Sequence, residues 1–193
     1  MKVSEKWDEY FQAARKLGPN PFYSRIEPYL GQPGKVAELG FGAGTGIQWW
    51  LDRGWQVVAV DAEDCMCEHL RSLHSPDTQL EIVCSDYVDA NWGEVDVVAA
   101  VFSLFFVPPG RFECLWPKVV ASIKPGGLFC GQLIGQGDEW ATEEHVSHTQ
   151  AEVDGLLRDF DILEIEEVRR AGKTLYGAPK EWHVYHVIAR KRA

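Results

Sequence analysis

Four glycines at alternate positions, Gly40, Gly42, Gly44 and Gly46, follow the short apolar run Val36-Ala37-Glu38-Leu39. Glycine tolerates positive φ, and its missing side chain lets a ligand come close to the backbone. Ile47-Gln48-Trp49-Trp50-Leu51 follows at helical spacing, so the turn opens onto a helix N-terminus with free N–H groups and a partial positive charge. Two acids stand at corresponding places downstream. Asp61 ends the β-branched run Gln56–Asp61, 21 residues after Gly40, where a carboxylate can accept hydrogen bonds from ribose hydroxyls. Asp86 follows Leu80–Cys84 and could accept from an adenine amino group, with Tyr87 beside it. A single aspartate after a strand is commonly a helix cap, and Asp64 suits that role. Acids at two successive strand ends point instead to a nucleoside.

These residues need a frame that brings strand ends together. Trp7, Tyr10, Phe11, Ala14 and Leu17 recur at helical spacing, and Phe22, Ile26, Tyr29 and Leu30 suggest a second helix between glycine–proline stops. From Lys35 strand and helix patterns alternate: strands at Val36–Gly40, Gln56–Asp61, Leu80–Cys84, Val95–Val101 and Leu128–Ile134, and helices at Gly44–Asp52, Asp64–Leu73 and between Pro109 and Ile123, the last interrupted or restarted near Pro117. Ser75-Pro76-Asp77 breaks the second of these helices, and Lys124-Pro125-Gly126-Gly127 reads as a turn. Gly135 to His148 reads as a loop, and Thr149–Glu152 is a capping box that opens a helix. Asp161–Val168 and His183–Ala189 alternate apolar and polar residues with no helix between them, as an antiparallel pair at a sheet edge would. The whole predicts an open, mostly parallel α/β sheet in one domain, with residues 1–34 as an N-terminal helical cap and 35–193 as the ligand-binding core. In such sheets ligands bind at the carboxyl ends of the strands, which gathers the glycine turn, Asp61, Asp86 and Phe102-Ser103.

Composition narrows the partners. The 193 residues carry a formal net charge of −10, and their 19 Lys and Arg are scattered apart from Arg190-Lys191-Arg192. That argues against a nucleic-acid partner while leaving a local basic groove open. No signal-peptide apolar region opens the chain, and the longest apolar stretch, Val97–Val107, is too short to span a bilayer, so no membrane partner is expected. The five cysteines fit buried free thiols in a reducing, cytoplasmic setting. No metal site is expected: Cys65-Met66-Cys67 lacks zinc spacing, and a Cys65–His69 pair has no second ligand pair.

The glycine register identifies the nucleoside more closely. A dinucleotide fingerprint starting at Gly40 would need glycine where Thr45 stands, and one starting at Gly42 would need it at Ile47. The alternate-glycine form after Glu38 resembles motif I of the class I S-adenosylmethionine-dependent methyltransferases. Val60-Asp61 is similar to their ribose-binding acidic motif, Ser85-Asp86 to the adenine-binding one, Asp96-Val97-Val98 to the fourth-strand motif, and Ile123–Gly127 to the turn before strand five. The resemblance covers roughly Val36 to Ile134. It implies a Rossmann-like seven-stranded sheet with helices on both faces and an antiparallel C-terminal strand, and S-adenosylmethionine as cofactor. It further implies that Gly40, Gly42 and Gly44 receive the methionine part, and that Glu38 anchors the loop or the cofactor's amino group. Asp61 would hold the ribose and Asp86 the adenine. Ala62, Met66 or Tyr87 would pack on the ring, with Phe102 and Ser103 near the reacting end.

The C-terminal segments Thr149–Glu152, Asp161–Val168 and Gly177–His183 resemble small tellurite-resistance-type methyltransferases. Those proteins usually carry Arg-Asn where this chain has Thr45-Gly46, so only the general group carries over. The implied reaction is in-line methyl transfer to a small-molecule acceptor, in which alignment supplies most of the catalysis. A neutral hydroxyl acceptor would also need a base, for which His145, His148 and His183 are the candidates; a thiolate would not. Trp7, Tyr10, Phe11 and Trp140 are candidate acceptor-binding residues, with Tyr176 a further aromatic. The alternatives are an NAD(P)- or flavin-dependent oxidoreductase and a non-catalytic S-adenosylmethionine-binding protein. The acceptor and the oligomeric state are left open.

Overall fold

The computed structural model describes residues 3–75 and 79–193, with the side chains of residues 3–9 outside the description. The expected break at Ser75-Pro76-Asp77 therefore falls largely outside the described residues.

Seven strands form one sheet: β1 (Lys35–Leu39), β2 (Gln56–Asp61), β3 (Leu80–Cys84), β4 (Val95–Ala100), β5 (Ile123–Ile134), β6 (Phe160–Lys173) and β7 (Pro179–Lys191). Their order across the sheet is β3-β2-β1-β4-β5-β7-β6. β1 through β5 pair in parallel, and β7 runs antiparallel between β5 and β6. The order reverses between β1 and β4, which makes the carboxyl end of β1 the switch point of the sheet. β1, β2 and β4 are almost wholly buried, as strands covered on both faces must be.

The described residues also form six α-helices: α1 (Val3–Leu17), α2 (Phe22–Ile26), α3 (Thr45–Leu51), α4 (Asp64–Leu73), α5 (Pro109–Ser122) and α6 (Gln150–Leu156). One face of the sheet packs against Phe112, Leu115 and Trp116 of α5 and Val153 of α6. The other packs against α2, α3 and α4 through Tyr23, Trp50 and Leu70. The capping box at Thr149 forms as expected, with Thr149 Oγ1 accepting from the Glu152 N–H.

Three local expectations change. α5 runs unbroken through Pro117, although the missing N–H leaves the Glu113 carbonyl without its helical donor. The turn at Lys124–Gly127 lies inside β5: Val95 pairs with Ile123 and Val97 with Leu128, so the four residues between bulge out opposite Asp96. Five free thiols were expected, but Cys67 and Cys84 are joined, with their Cα atoms 6.1 Å apart. The parallel register sets Cys84 beside Asp61, and the buried face of α4 brings Cys67 over the same place. Cys65, Cys114 and Cys130 remain free.

Candidate active site

The glycine turn is shaped by its own backbone. Gly40, Gly42 and Gly44 have φ of 76°, 51° and 76°, in the left-handed region that side chains resist. Each also faces a close neighbour. A Cβ on Gly40 would collide with Ser103 and Tyr87, one on Gly42 with the Tyr10 hydroxyl, and one on Gly44 would lie 2.7 Å from Leu70 Cδ1. Gly44 caps α3, so the turn delivers backbone N–H groups to the switch point.

Asp61 closes the turn from β2. Its Oδ2 accepts the Gly42 N–H at 3.1 Å and its Oδ1 the Glu63 N–H at 3.1 Å. Burial pushes the Asp61 carboxyl up, and the two N–H donors pull it back. Two carboxylate oxygens offer about four acceptor positions, so capacity remains for ribose hydroxyls. Tyr87, whose hydroxyl reaches Gly40, is held neutral by burial and by Asp61. Asp86 is more exposed: its Oδ1 accepts the Val88 N–H at 2.9 Å and pairs with Arg111 at 3.1 Å. Met66 is buried in α4, and Ala62 is exposed.

Glu38 lies deeper, 2% exposed. Its Oε1 accepts from the Tyr23 hydroxyl at 2.6 Å and its Oε2 from Trp50 Nε1 at 2.7 Å. Desolvation raises its carboxyl to about 7, against the two hydrogen bonds. Glu38 thus ties α2 and α3 to the end of β1, and its role is to anchor the loop. The same bond accounts for Gly46, where a Cβ would collide with the Tyr23 hydroxyl and Glu38 Oε1. The asparagine usual in tellurite-resistance-type proteins has no room there. Tyr23 and Trp50 were missed in the sequence, because nothing in their spacing tells which aromatic reaches a buried acid.

α1 lies over this turn. Tyr10 puts its hydroxyl against Gly42 and accepts from the Ala43 N–H, so it stands at the glycine turn. Phe11 stacks on the His69 ring at 3.9 Å. The Trp7 side chain lies outside the described residues.

A second cluster occupies the carboxyl ends of β4 and β5. Ser103 donates to the Leu39 carbonyl at 2.5 Å and brings Phe102 beside the glycine turn. The Phe102 ring meets Trp182 at 5.8 Å and His186 at 6.0 Å, and Trp140 meets Trp182 at 5.4 Å. Buried Lys180 pairs with Asp138 and lies 3.7 Å from the Trp182 ring and 4.5 Å from that of Trp140. Gln132, wholly buried in β5, links the Phe102 N–H to His186. A glutamine inside the apolar run Leu128–Ile134 was a signal that the sequence did carry.

The three candidate histidines have different partners, although His148 and His183 both flank Gly135. His183 accepts the Gly137 N–H at Nδ1 (3.1 Å), and its Nε2 meets Glu167 at 2.8 Å, so both ring nitrogens are engaged. His148 is buried against Phe112 at 5.0 Å, and burial lowers its pKa. His145 is half-buried, 3.3 Å from Thr142 Oγ1 and 5.6 Å from the Phe106 ring. Among the described residues no group of three or more His, Cys, Asp or Glu is placed to hold a metal ion, and no helix is long and apolar enough to cross a membrane.

Comparison with known proteins agrees with this geometry. Residues 36–127 match the family model of a methyltransferase domain. Carboxy-S-adenosyl-L-methionine synthase of Shewanella sp. (strain MR-7) is 33% identical over 79 residues, 39% of this chain and 32% of that protein. The chain thus spans about a third of the length of the curated relatives it matches. TehB from Haemophilus influenzae has a similar structure, with a TM-score of 0.76 and 15% identity, covering 89% of this chain and 61% of TehB. So does the 1,6-didemethyltoxoflavin-N1-methyltransferase of Burkholderia thailandensis, solved with 1,6-didemethyltoxoflavin and S-adenosylhomocysteine, with a TM-score of 0.69, 19% identity, and coverage of 90% and 78%. Residues 36–127 thus match the methyltransferase-domain family model, and the chain as a whole shares the fold of these two solved structures.

Proposed function

We propose that this chain transfers the methyl group of S-adenosylmethionine to a small-molecule acceptor. The observation that carries the reading is the junction of the glycine turn with Asp61: three left-handed glycines too crowded for a Cβ, held by a buried carboxylate that keeps acceptor capacity. The donor set fits a nucleoside joined to an amino acid. When bound, the cofactor would supply an electrophilic sulfonium methyl for an acceptor's lone pair, with the electron pair of the carbon–sulfur bond passing to sulfur.

The backbone of Gly40, Gly42 and Gly44 would receive the methionine part, and Asp61 the ribose hydroxyls. Asp86 Oδ2 would accept from the adenine amino group, with Ala62, Met66 and Tyr87 against the ring. Tyr10 and Phe11 would cover the cofactor end, and Phe102, Ser103 and Trp140 would border the acceptor. The reading gives no proton-transfer role to His183, whose nitrogens are occupied, or to His148, which stands among apolar side chains. An acceptor with its own lone pair or negative charge needs no base. The bound small molecule of the Burkholderia thailandensis neighbour supports the acceptor class. A cytoplasmic location belongs to the same reading; the three free thiols suit it, and the Cys67–Cys84 bond counts against it.

Calorimetric titration with S-adenosylhomocysteine tests the assignment. Wild type is expected to bind, and Asp61→Ala to bind at least about tenfold more weakly, since hydrogen bonds to a charged group contribute about 1.5–3 kcal/mol each. Circular dichroism checks that the variant is folded, and Asp61→Asn tests charge at constant size. Binding of NAD without binding of S-adenosylhomocysteine would overturn the reading. Binding of S-adenosylhomocysteine with no transfer of labelled methyl to any acceptor would favour a non-catalytic binder.

A further inference from the structure

Phe102 is the one non-glycine among the described residues with a positive φ, at 55°. A left-handed backbone costs an aromatic residue about 1–2 kcal/mol, so its surroundings must hold it. The Phe102 N–H donates to Gln132 Oε1 at 2.9 Å. On the other side of the amide, Gln132 Nε2 lies 3.2 Å from His186 Nδ1, directly across the β5–β7 pairing.

This chain of contacts determines where the imidazole carries its proton. The amide oxygen is committed to Phe102, so the amide nitrogen faces His186, and an amide nitrogen only donates. Nδ1 therefore accepts, and the proton of the neutral ring sits on Nε2. Burial lowers the ring's pKa, as do Arg25 and Arg170, against Glu166 and Glu164, which favours the neutral form. Nε2 has no hydrogen-bond partner among the described residues, and it is not among their solvent-sealed unpartnered atoms. The ring is flanked by Phe22 at 5.7 Å and Phe102 at 6.0 Å, and Phe102 carries Trp182 beside it. A solvent-reachable N–H donor is thus fixed among flat apolar faces at the reacting end of the site.

We propose that His186 positions the acceptor: its Nε2–H, held in donor form by Gln132, binds a lone pair on a planar heteroaromatic acceptor lying against Phe102 and Trp182. This rests on the methyl-transfer reading and adds to it the acceptor's class. His186 is a hydrogen-bond donor there and no base, because its proton-accepting nitrogen is already used. The bond engages a ring nitrogen or carbonyl oxygen that does not react and leaves the nucleophile free. The left-handed Phe102 and the buried Gln132 then share one purpose, which is to aim this N–H.

Two measurements test the proposal. Long-range proton–nitrogen spectra of histidine-labelled protein, with His186 assigned by its loss in His186→Phe, are expected to show the Nε2–H form, and Gln132→Leu to release a mixture. An Nδ1–H form in wild type overturns the proposal. The second measurement compares 1-methylbenzimidazole with 1-methylindole, which differ by one ring lone pair, on protein saturated with S-adenosylhomocysteine. Wild type is expected to favour 1-methylbenzimidazole by about tenfold, the worth of one hydrogen bond. His186→Phe is expected to lose that preference while keeping its affinity for 1-methylindole and for S-adenosylhomocysteine. Equal affinities in wild type, a preference that survives in His186→Phe, or binding of neither fragment would each overturn it. Failure of wild type to bind S-adenosylhomocysteine would instead remove the methyl-transfer reading beneath it.

Discussion

The two ends of the proposed site, one assigned to the cofactor and one to the acceptor, are built differently. At the cofactor end, β1 and β2 present backbone: glycines in left-handed conformations, N–H groups, and carboxylates that hold them. At the acceptor end, β4, β5 and β7 present side chains: Phe102, Gln132, Trp140, Lys180, Trp182 and His186, drawn together from distant positions. A backbone cradle recognises one constant ligand and tolerates little change. A side-chain cluster can be altered residue by residue, as the part of a methyltransferase facing a variable acceptor must be. The same contrast states where substitutions should act on folding and where on selectivity.

The largest expected effect tests how firmly the acceptor end is pinned. Asp138 is buried, pairs with Lys180, and accepts the N–H groups of Trp140 and His183, both at 2.9 Å. Lys180→Met leaves that carboxylate without its cation, and losing one partner of a buried pair costs about 3–5 kcal/mol. Urea denaturation should read this loss. A change below about 1 kcal/mol would mean that the rings alone hold the cluster.

At the cofactor end, Glu38 gives a comparable effect that depends on pH. Its carboxyl rises from 4.5 to about 7 on folding, so the native state binds its proton more tightly than the unfolded chain. The associated stability is present below pH 4.5 and is lost as pH rises through about 7. It amounts to about 3 kcal/mol. The stability of wild type minus that of Glu38→Gln should therefore fall by that amount between pH 4 and 8. A flat difference would mean that Tyr23 and Trp50 offset the desolvation completely.

A smaller difference separates two glycines of nearly equal φ. Gly126 has φ 79° with nothing within 4 Å of an added Cβ, whereas a Cβ on Gly40 would meet Ser103 and Tyr87. Gly126→Ala should cost about 1 kcal/mol from the backbone alone, and Gly40→Ala about 2 kcal/mol more from crowding. S-adenosylhomocysteine binding should be lost only in Gly40→Ala. Equal costs would mean that the turn can widen, and that its glycines serve conformation and not closeness.

The difference between the two ends also sets how much was legible in the sequence. The cofactor end lies on consecutive strand–turn units, so Gly40, Asp61 and Asp86 can be read from local spacing, and all three reach the carboxyl edge of the sheet. The parallel pairing of β1 to β5 follows from the same alternation. The acceptor end depends on the pairing of β5 with β7, which joins Gln132 to His186 across 54 positions. No spacing rule reaches that far, so residue type alone points to His145, His148 and His183 and cannot point to His186. For Tyr10, helical spacing fixes its face but not that this face meets Gly42 and Ala43. The disulfide was missed for the same reason: only the β2–β3 register brings Cys84 under α4.

The smallest expected effect lies where the two kinds of construction meet. Asp86 is turned by the Val88 N–H at 2.9 Å and also paired with Arg111, which reaches Asp89 at 2.8 Å as well. Both acids and the arginine are solvated, and exposed ion pairs contribute little once water and salt screen them. If the backbone donor alone aims Asp86, Arg111→Ala should leave the melting temperature unchanged and S-adenosylhomocysteine affinity within about threefold of wild type, the range expected of an exposed pair. A loss beyond tenfold, removed by added salt in wild type, would show that a distant side chain sets the adenine contact. The cofactor end would then be assembled as the acceptor end is, and the distinction between backbone cradle and side-chain cluster would hold only for the glycine turn.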